Sequence, residues 1–130
     1  MVSRFAPGST RAQGDQTEAL VLSRLGEHGL QLVERNVELA GAELDLIART
    51  TDGETYVFIE VRGRASDELG TPVETVDERK RRQIIRGATA WLVKNDLWER
   101  VAVRFDVVGV TGPELETPTI EWIVGAFETS

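Results

Sequence analysis

Apolar residues recur along the chain in two rhythms, and the switches between them mark out the elements. After Asp15, the residues Ala19, Leu22 and Leu25 fall three apart. This predicts an amphipathic helix with Asp15 as N-cap, Glu18 at its third position and Gly29 as its stop after His28. From Leu30 to Leu39 the pattern is that of a strand, with Leu32 and Val33 apolar and Arg35-Asn36 near its middle or end, and Gly41 then permits a tight reversal. Next, Leu44, Leu46 and Ala48 alternate with Glu43, Asp45 and Ile47. Asp52-Gly53 supplies a turn, and Val57, Ile59 and Val61 alternate with Tyr56, Phe58, Glu60 and Arg62. Two alternating runs around Asp-Gly predict a β-hairpin. The segment A-S-D-E-L-G-T-P-V-E that follows Arg64 has no period and reads as a loop.

A second helix is predicted from about Asp77 to Asn95, with Thr75 and Glu78 in capping-box spacing. Ile84, Ile85, Ala88, Trp91 and Leu92 share one face at 100° per residue. Lys80 lies one turn before Ile84 and Arg81 falls within the same face, so both should hang over the sheet at the N-terminal end of the helix. Arg79, Arg82 and Arg86 project toward solvent. Val101 to Val110 alternates into a strand carrying Arg104 and Asp106, Gly112-Pro113 turns the chain, and Thr119 to Ile123 forms a short last strand before Ala126-Phe127 tucks against the core. The order helix, three strands, helix, two strands describes a single α/β (α+β) domain with a central mixed sheet flanked by helices. Residues 1–13, with Arg4, Arg11 and a Pro-Gly-Ser-Thr run, read as a flexible N-terminal arm, and residues 14–130 as the domain.

The hairpin is unusual in its charge. Each arm is apolar enough to lie inside a sheet, yet each carries a carboxylate, and Asp45 and Glu60 can meet across neighbouring strands. Three partners are open to them. A divalent cation would take both as hard oxygen ligands; Arg62 or Arg64 would make a structural salt bridge; and solvent on an edge strand would need nothing further. Glu18 either completes its helix cap or, if that helix crosses the sheet near the hairpin, delivers a third carboxylate beside Asp45. His28, the only histidine, is read as a cation favoured in the last turn of its helix rather than as a base.

Composition narrows the choices. A chain of 130 residues, 41% hydrophobic and 28% charged, suits one ordinary globular domain. The absence of cysteine excludes disulfides, thiolate metal sites and a cysteine nucleophile. The N-terminal stretch has no signal-peptide core and no run is long and apolar enough to span a membrane, so the expected location is cytoplasmic. A net charge of -7 argues against a generic duplex-coating protein and leaves room only for a local basic patch.

The order of elements, and the acids on the helix and on strands two and three, resemble the restriction-endonuclease-like fold. Its metal site uses an Asp and then Glu-x-Lys on the next strand, matched here by Asp45 and Glu60-Val61-Arg62. More closely, nearly the whole chain resembles the YraN-like bacterial family, an uncharacterised group expected to adopt that nuclease-like, Holliday-junction-resolvase-like fold. The likeness is carried by Gly14 to Ala19, Arg35-Asn36, Ala42 to Ala48, Val57 to Arg62, Lys80, Arg104 to Val108, Trp122-Ile123 and Ala126-Phe127. It implies Glu18, Asp45 and Glu60, with the Val61 carbonyl, as holders of Mg²⁺ or Mn²⁺. Arg62, Arg64, Lys80 and Arg81 would contact nucleic acid, with DNA, branched DNA included, as the substrate of a metal-dependent nuclease and a homodimer as the form suited to a two-fold junction. Two departures stand out. Ala42 replaces the glycine usual before Glu-x-Asp, and Arg62 replaces a lysine that could help deprotonate water, which arginine cannot do. Lys80 is the candidate to supply the missing ammonium. The alternative is a non-catalytic module that binds nucleic acid or protein, with Glu60 and Arg62 reduced to a salt bridge.

Overall fold

In the computed structural model, residues 11–129 are described. The element order is α1 (Arg11–Arg24), β1 (Leu30–Leu39), β2 (Ala42–Thr50), β3 (Thr55–Arg64), α2 (Glu78–Lys94), β4 (Ala102–Thr111) and β5 (Thr119–Phe127), with short 3₁₀ turns at Gly26–His28 and Val73–Thr75. The five strands form one sheet in sequence order. Two tight reversals make β1, β2 and β3 antiparallel, and the passage through α2 brings β4 in parallel to β3 before β5 returns antiparallel. A parallel pair needs a long crossover, and α2 is that crossover.

Each face of the sheet carries one helix. Tyr56, Phe58, Phe105 and Val107 pack with Ile84, Ala88, Trp91 and Leu92 of α2. Val57, Ile59, Val108 and Val110 pack with Val21 and Leu25 at α1. Because both faces are covered, the central strands are apolar at nearly every position, and a carboxylate among them must be held by a specific partner.

The first predicted helix starts earlier than Asp15: residues 11–14 are already helical, so Asp15 lies inside α1 and is not its cap. The arm expected over residues 1–13 otherwise lies outside the described residues. α1 ends at Arg24, before the predicted stop; Gly29, left-handed at φ 68°, closes the 3₁₀ turn that follows, and His28 belongs to that turn and stacks on Trp122 of β5 at 3.9 Å between ring centres. At α2 the cap is Asp77, whose carboxylate accepts from Lys80 N at 2.9 Å. Thr75 spends its hydroxyl on Pro72 O instead. The last strand runs through Phe127, four residues beyond the predicted Ile123, and Phe127 stacks on Phe105.

β2 departs from strict alternation. Leu44 and Ile47 pack in the layer under α2, whereas Leu46 and Ala48 pack in the layer at α1. Leu44 and Leu46, predicted to share a face, therefore lie on opposite faces, and the change occurs at Asp45. Across from it, the ladder steps from Arg35↔Leu46 to Val37↔Leu44, and the intervening Asn36 takes φ 54°. A short amide side chain is among the few that tolerate that conformation. The irregularity sits where Asp45 leaves the regular sheet.

Candidate metal and nucleic-acid site

The regular β2–β3 pairing ends at Leu46↔Ile59, one residue short of the two acids. Asp45 does not continue the ladder; its Oδ2 accepts the Val61 backbone N–H at 2.9 Å. Glu60 has the parity of Phe58 and so faces α2. Only 5% exposed, it takes Arg62 Nη2 at 3.0 Å and Lys80 Nζ at 3.7 Å, both on Oε2. Leu44, Leu46, Phe58, Ile59 and Ile84 wall the recess in which the two carboxyls lie.

Burial, first, and the charge of Glu60, second, push the Asp45 carboxyl up from 3.8 to about 8, with a hydrogen bond between the two side chains acting in the same direction. The Val61 amide and the Lys80 ammonium oppose this and do not overcome it. Two acids in low dielectric cannot both ionise without a cation between them. In the metal-free molecule Asp45 therefore keeps its proton at neutral pH.

Lys80 reaches the site as its helical projection predicts, from the first turn of α2. Arg81, given the same expectation, goes elsewhere. Its Nε donates to Val76 O at 3.2 Å and its guanidinium lies 5.5 Å from the centre of the Phe127 ring, so it serves the β5 side of the core and has no contact with the acid pair among the described residues. Glu18 accepts from Arg35 Nη2 at 2.8 Å, and Arg35 is the β1 residue that pairs with Leu46, next to Asp45. Among the described residues, no three His, Cys, Asp or Glu side chains are gathered to hold a metal ion. What remains is a pair of carboxylates, a donor set that suits Mg²⁺, which commonly uses one or two carboxylates and leaves its other positions to water and phosphate.

Beyond Glu60, β3 continues with Arg62 and Arg64 on the same face. Arg64 is nearly enclosed, with 7% of its side chain exposed. Its Nη1 donates to the carbonyl of Gly70, and Nε lies 3.9 Å from Glu68. Of the partners left open for the acids, a salt bridge is present between Glu60 and Arg62, while Arg64 takes no part in it.

Sequence reasoning gave no role to the fully buried Asp106. Arg104 grips it through Nε at 2.9 Å and Nη2 at 3.1 Å, Trp122 Nε1 donates at 3.0 Å, and Gly125 N at 3.0 Å. Four donors saturate the carboxylate, which ties β4 to β5 and has no oxygen left for chemistry. The spacing of Arg104 and Asp106 on one strand face is the signal that could have revealed it. Thr17 was likewise given no role; a Cβ on Gly63 would lie 2.8 Å from its Oγ1, so α1 crosses β3 closely beside Arg62 and Arg64.

Fold and site together define a single α+β domain, consistent with a nuclease-like fold, with an acid pair and three basic side chains at one end of β3. The profile of the family described as "Uncharacterised protein family UPF0102" matches residues 17–110. A UPF0102 protein of Chromohalobacter salexigens is 45% identical over 121 residues, covering 92% of this chain and 93% of its own. One from Stutzerimonas stutzeri is 39% identical over 120 residues, covering 92% and 98%, and one from Pelobacter propionicus is 38% identical over 126 residues, covering 97% and 89%. The chain belongs to the UPF0102 family, the YraN-like group that its motifs resemble.

Proposed function

We propose that this protein is a divalent-metal-dependent nuclease that hydrolyses phosphodiester bonds in DNA, branched DNA included. The observation that carries this reading is the enclosed Asp45 carboxyl against Glu60. Such a pair costs folding free energy, a cost that Asp45 and Glu60 would shed on holding a divalent cation, with Asp45 giving up its proton. Asp45 and Glu60, with the Val61 carbonyl, are the groups to hold Mg²⁺ or Mn²⁺. When bound, the ion polarises a phosphate and lowers the pKa of water. Arg62 and Lys80, both now on Glu60, are placed to transfer to the nonbridging oxygens of a phosphate and to stabilise the charge that develops there. Lys80 brings a compact ammonium on a flexible stem and Arg62 a planar fork, so the two can meet the phosphate from different directions. Glu18, paired with Arg35, is at most an outer contributor.

A second reading has an observation in its favour: Arg62 and Lys80 already neutralise Glu60 without any metal. On that reading the protein binds nucleic acid and cuts nothing. Cleavage of linear, single-stranded, flapped and four-way-junction DNA in Mg²⁺ or Mn²⁺ separates the two. The nuclease reading expects metal-dependent cutting that falls by more than about 100-fold in Asp45→Ala, beyond the usual loss for an outer-shell partner. Binding of branched DNA without cutting by wild type would install the binding-module reading in its place.

A further inference from the structure

β3 presents its even-numbered residues as a row. Glu60, Arg62 and Arg64 share one face, about 6.6 Å apart at each two-residue step, a step comparable to that between successive phosphates of a nucleic-acid strand. Glu60 and Lys80 mark the reacting end of the row. At the other end, Arg64 is enclosed, yet its Nε and Nη2 have no hydrogen-bond partner among the described residues, nor has Arg62 Nε. A guanidinium cannot shed its charge to ease burial, and enclosed donors are ordinarily satisfied.

The geometry of the unsatisfied atoms is informative. Nε and Nη2 form the side edge of a guanidinium, the fork that offers two parallel N–H bonds to one oxyanion. In this same protein Arg104 uses that edge on Asp106. Arg64 has its remaining nitrogen, Nη1, fixed by Gly70 O, which orients the plane. The anion paired with the fork is Glu68, 60% exposed and at 3.9 Å from Nε, too far for a hydrogen bond and in a position to swing away.

We propose that the Nε/Nη2 edge of Arg64 is a second phosphate subsite, which grips the backbone phosphate flanking the scissile one and makes the substrate a DNA strand rather than an isolated phosphodiester. The inference rests on the nucleic-acid reading of the site given above. Glu68 acts as a stand-in counter-ion that the incoming phosphate displaces. Arg62 lies between the two positions and completes the row.

The test is binding, in EDTA so that nothing is cut, of short DNA oligonucleotides in which one linkage at a time is made a neutral methylphosphonate. Wild type should lose affinity at the linkages gripped by the row. Arg64→Ala should bind the all-phosphate strand about tenfold more weakly, the loss expected for one charged hydrogen-bonding group, and should become indifferent to one linkage that matters to wild type. Glu68→Gln, which removes the competing anion and keeps the loop, should bind more tightly. Should Arg64→Ala prove poorly folded, Glu68→Gln alone decides: unchanged or weaker binding overturns the subsite. Arg64→Ala that melts at lower temperature but keeps the wild-type linkage pattern overturns it too, leaving Arg64 a loop anchor. The hydrolytic reading fails separately, since a protein that cuts nothing and still shows the Arg64-dependent pattern loses the nuclease and keeps the subsite.

Discussion

At the scale of the residue, the decisive group is Asp45. Its carboxyl titrates near 3.8 in the unfolded chain and near 8 in the folded, metal-free protein. Between those values the folded state holds a proton that the unfolded state has released. Stability must therefore fall as pH rises through this window, being fully present below about 4 and lost as pH passes about 8. Chemical denaturation in EDTA at a series of pH values should show that decline. Asp45→Asn copies the protonated form, still able to donate to Glu60 and to accept from Val61. It should flatten the decline and be more stable than wild type at pH 8 by a few kcal/mol, each pKa unit being worth about 1.4 kcal/mol. On the proposed nuclease reading, the same substitution should abolish metal-dependent cutting. A variant that gains stability by losing function is the usual mark of a strained site. An Asp45→Asn profile that falls as steeply as wild type would place the titrating group elsewhere.

At the scale of the element, what brings Lys80 to Glu60 is how closely α2 lies on the sheet. The contact is made at Gly87, where an added Cβ would meet Ala42 Cβ at 2.9 Å, Leu44 Cδ2 at 3.3 Å and the Leu39 carbonyl at 3.5 Å. Two effects compete in Gly87→Ala. Helix propensity gains up to about 1 kcal/mol, whereas overpacking a rigid contact costs about 1–3 kcal/mol. A methyl on Ala42 cannot rotate away, so the cost should win and the variant should melt at lower temperature than wild type. Ala42→Gly removes the opposing methyl, so the double variant should recover stability. Failure of that rescue in a double-mutant cycle would show that Ala42 is not the obstacle.

That contact also separates what the sequence revealed from what it hid. The hairpin, its Asp52-Gly53 turn with Gly53 at φ 74°, and the α2 face are local patterns and were readable. So was Lys80, because its position follows from one turn of helix. Arg81 was not, since the ring that draws it, Phe127, arrives from the far end of the chain. Nor was the Arg35 partner of Glu18, which depends on where β1 settles relative to α1. The reversal of face at Asp45 was invisible for a similar reason: Asn36, opposite it, lies on another strand. Periodicity reads one element at a time, whereas a site is made by several.

At the scale of the molecule, the net charge of -7 limits how the proposed DNA substrate could be held. A duplex approaching at random would meet a surface that repels it, so on the proposed reading affinity would depend on the few cations aligned with the acid pair: Arg62, Arg64 and Lys80. Each phosphate neutralised contributes about -0.9 to the slope of log affinity against log salt for a duplex and about -0.7 for a single strand. Three contacts give a slope of about -2 to -3, far shallower than that of a repressor making many contacts. Five basic side chains lie at Arg79, Lys80, Arg81, Arg82 and Arg86 in the first half of α2, and a steeper slope would mean that this helix lies along the backbone. The contacts oppose that. Arg82 is paired with Glu78, Arg86 donates to Ala40 O, and Arg81 covers Phe127, so most of the stripe is already engaged within the protein. Titrations of a labelled DNA junction in EDTA over a range of salt should therefore give the shallow slope. Arg64→Ala should reduce it by about one contact, and Arg82→Ala should leave it unchanged. A slope of about -5 or steeper, reduced by Arg82→Ala, would make α2 rather than β3 the element that DNA follows.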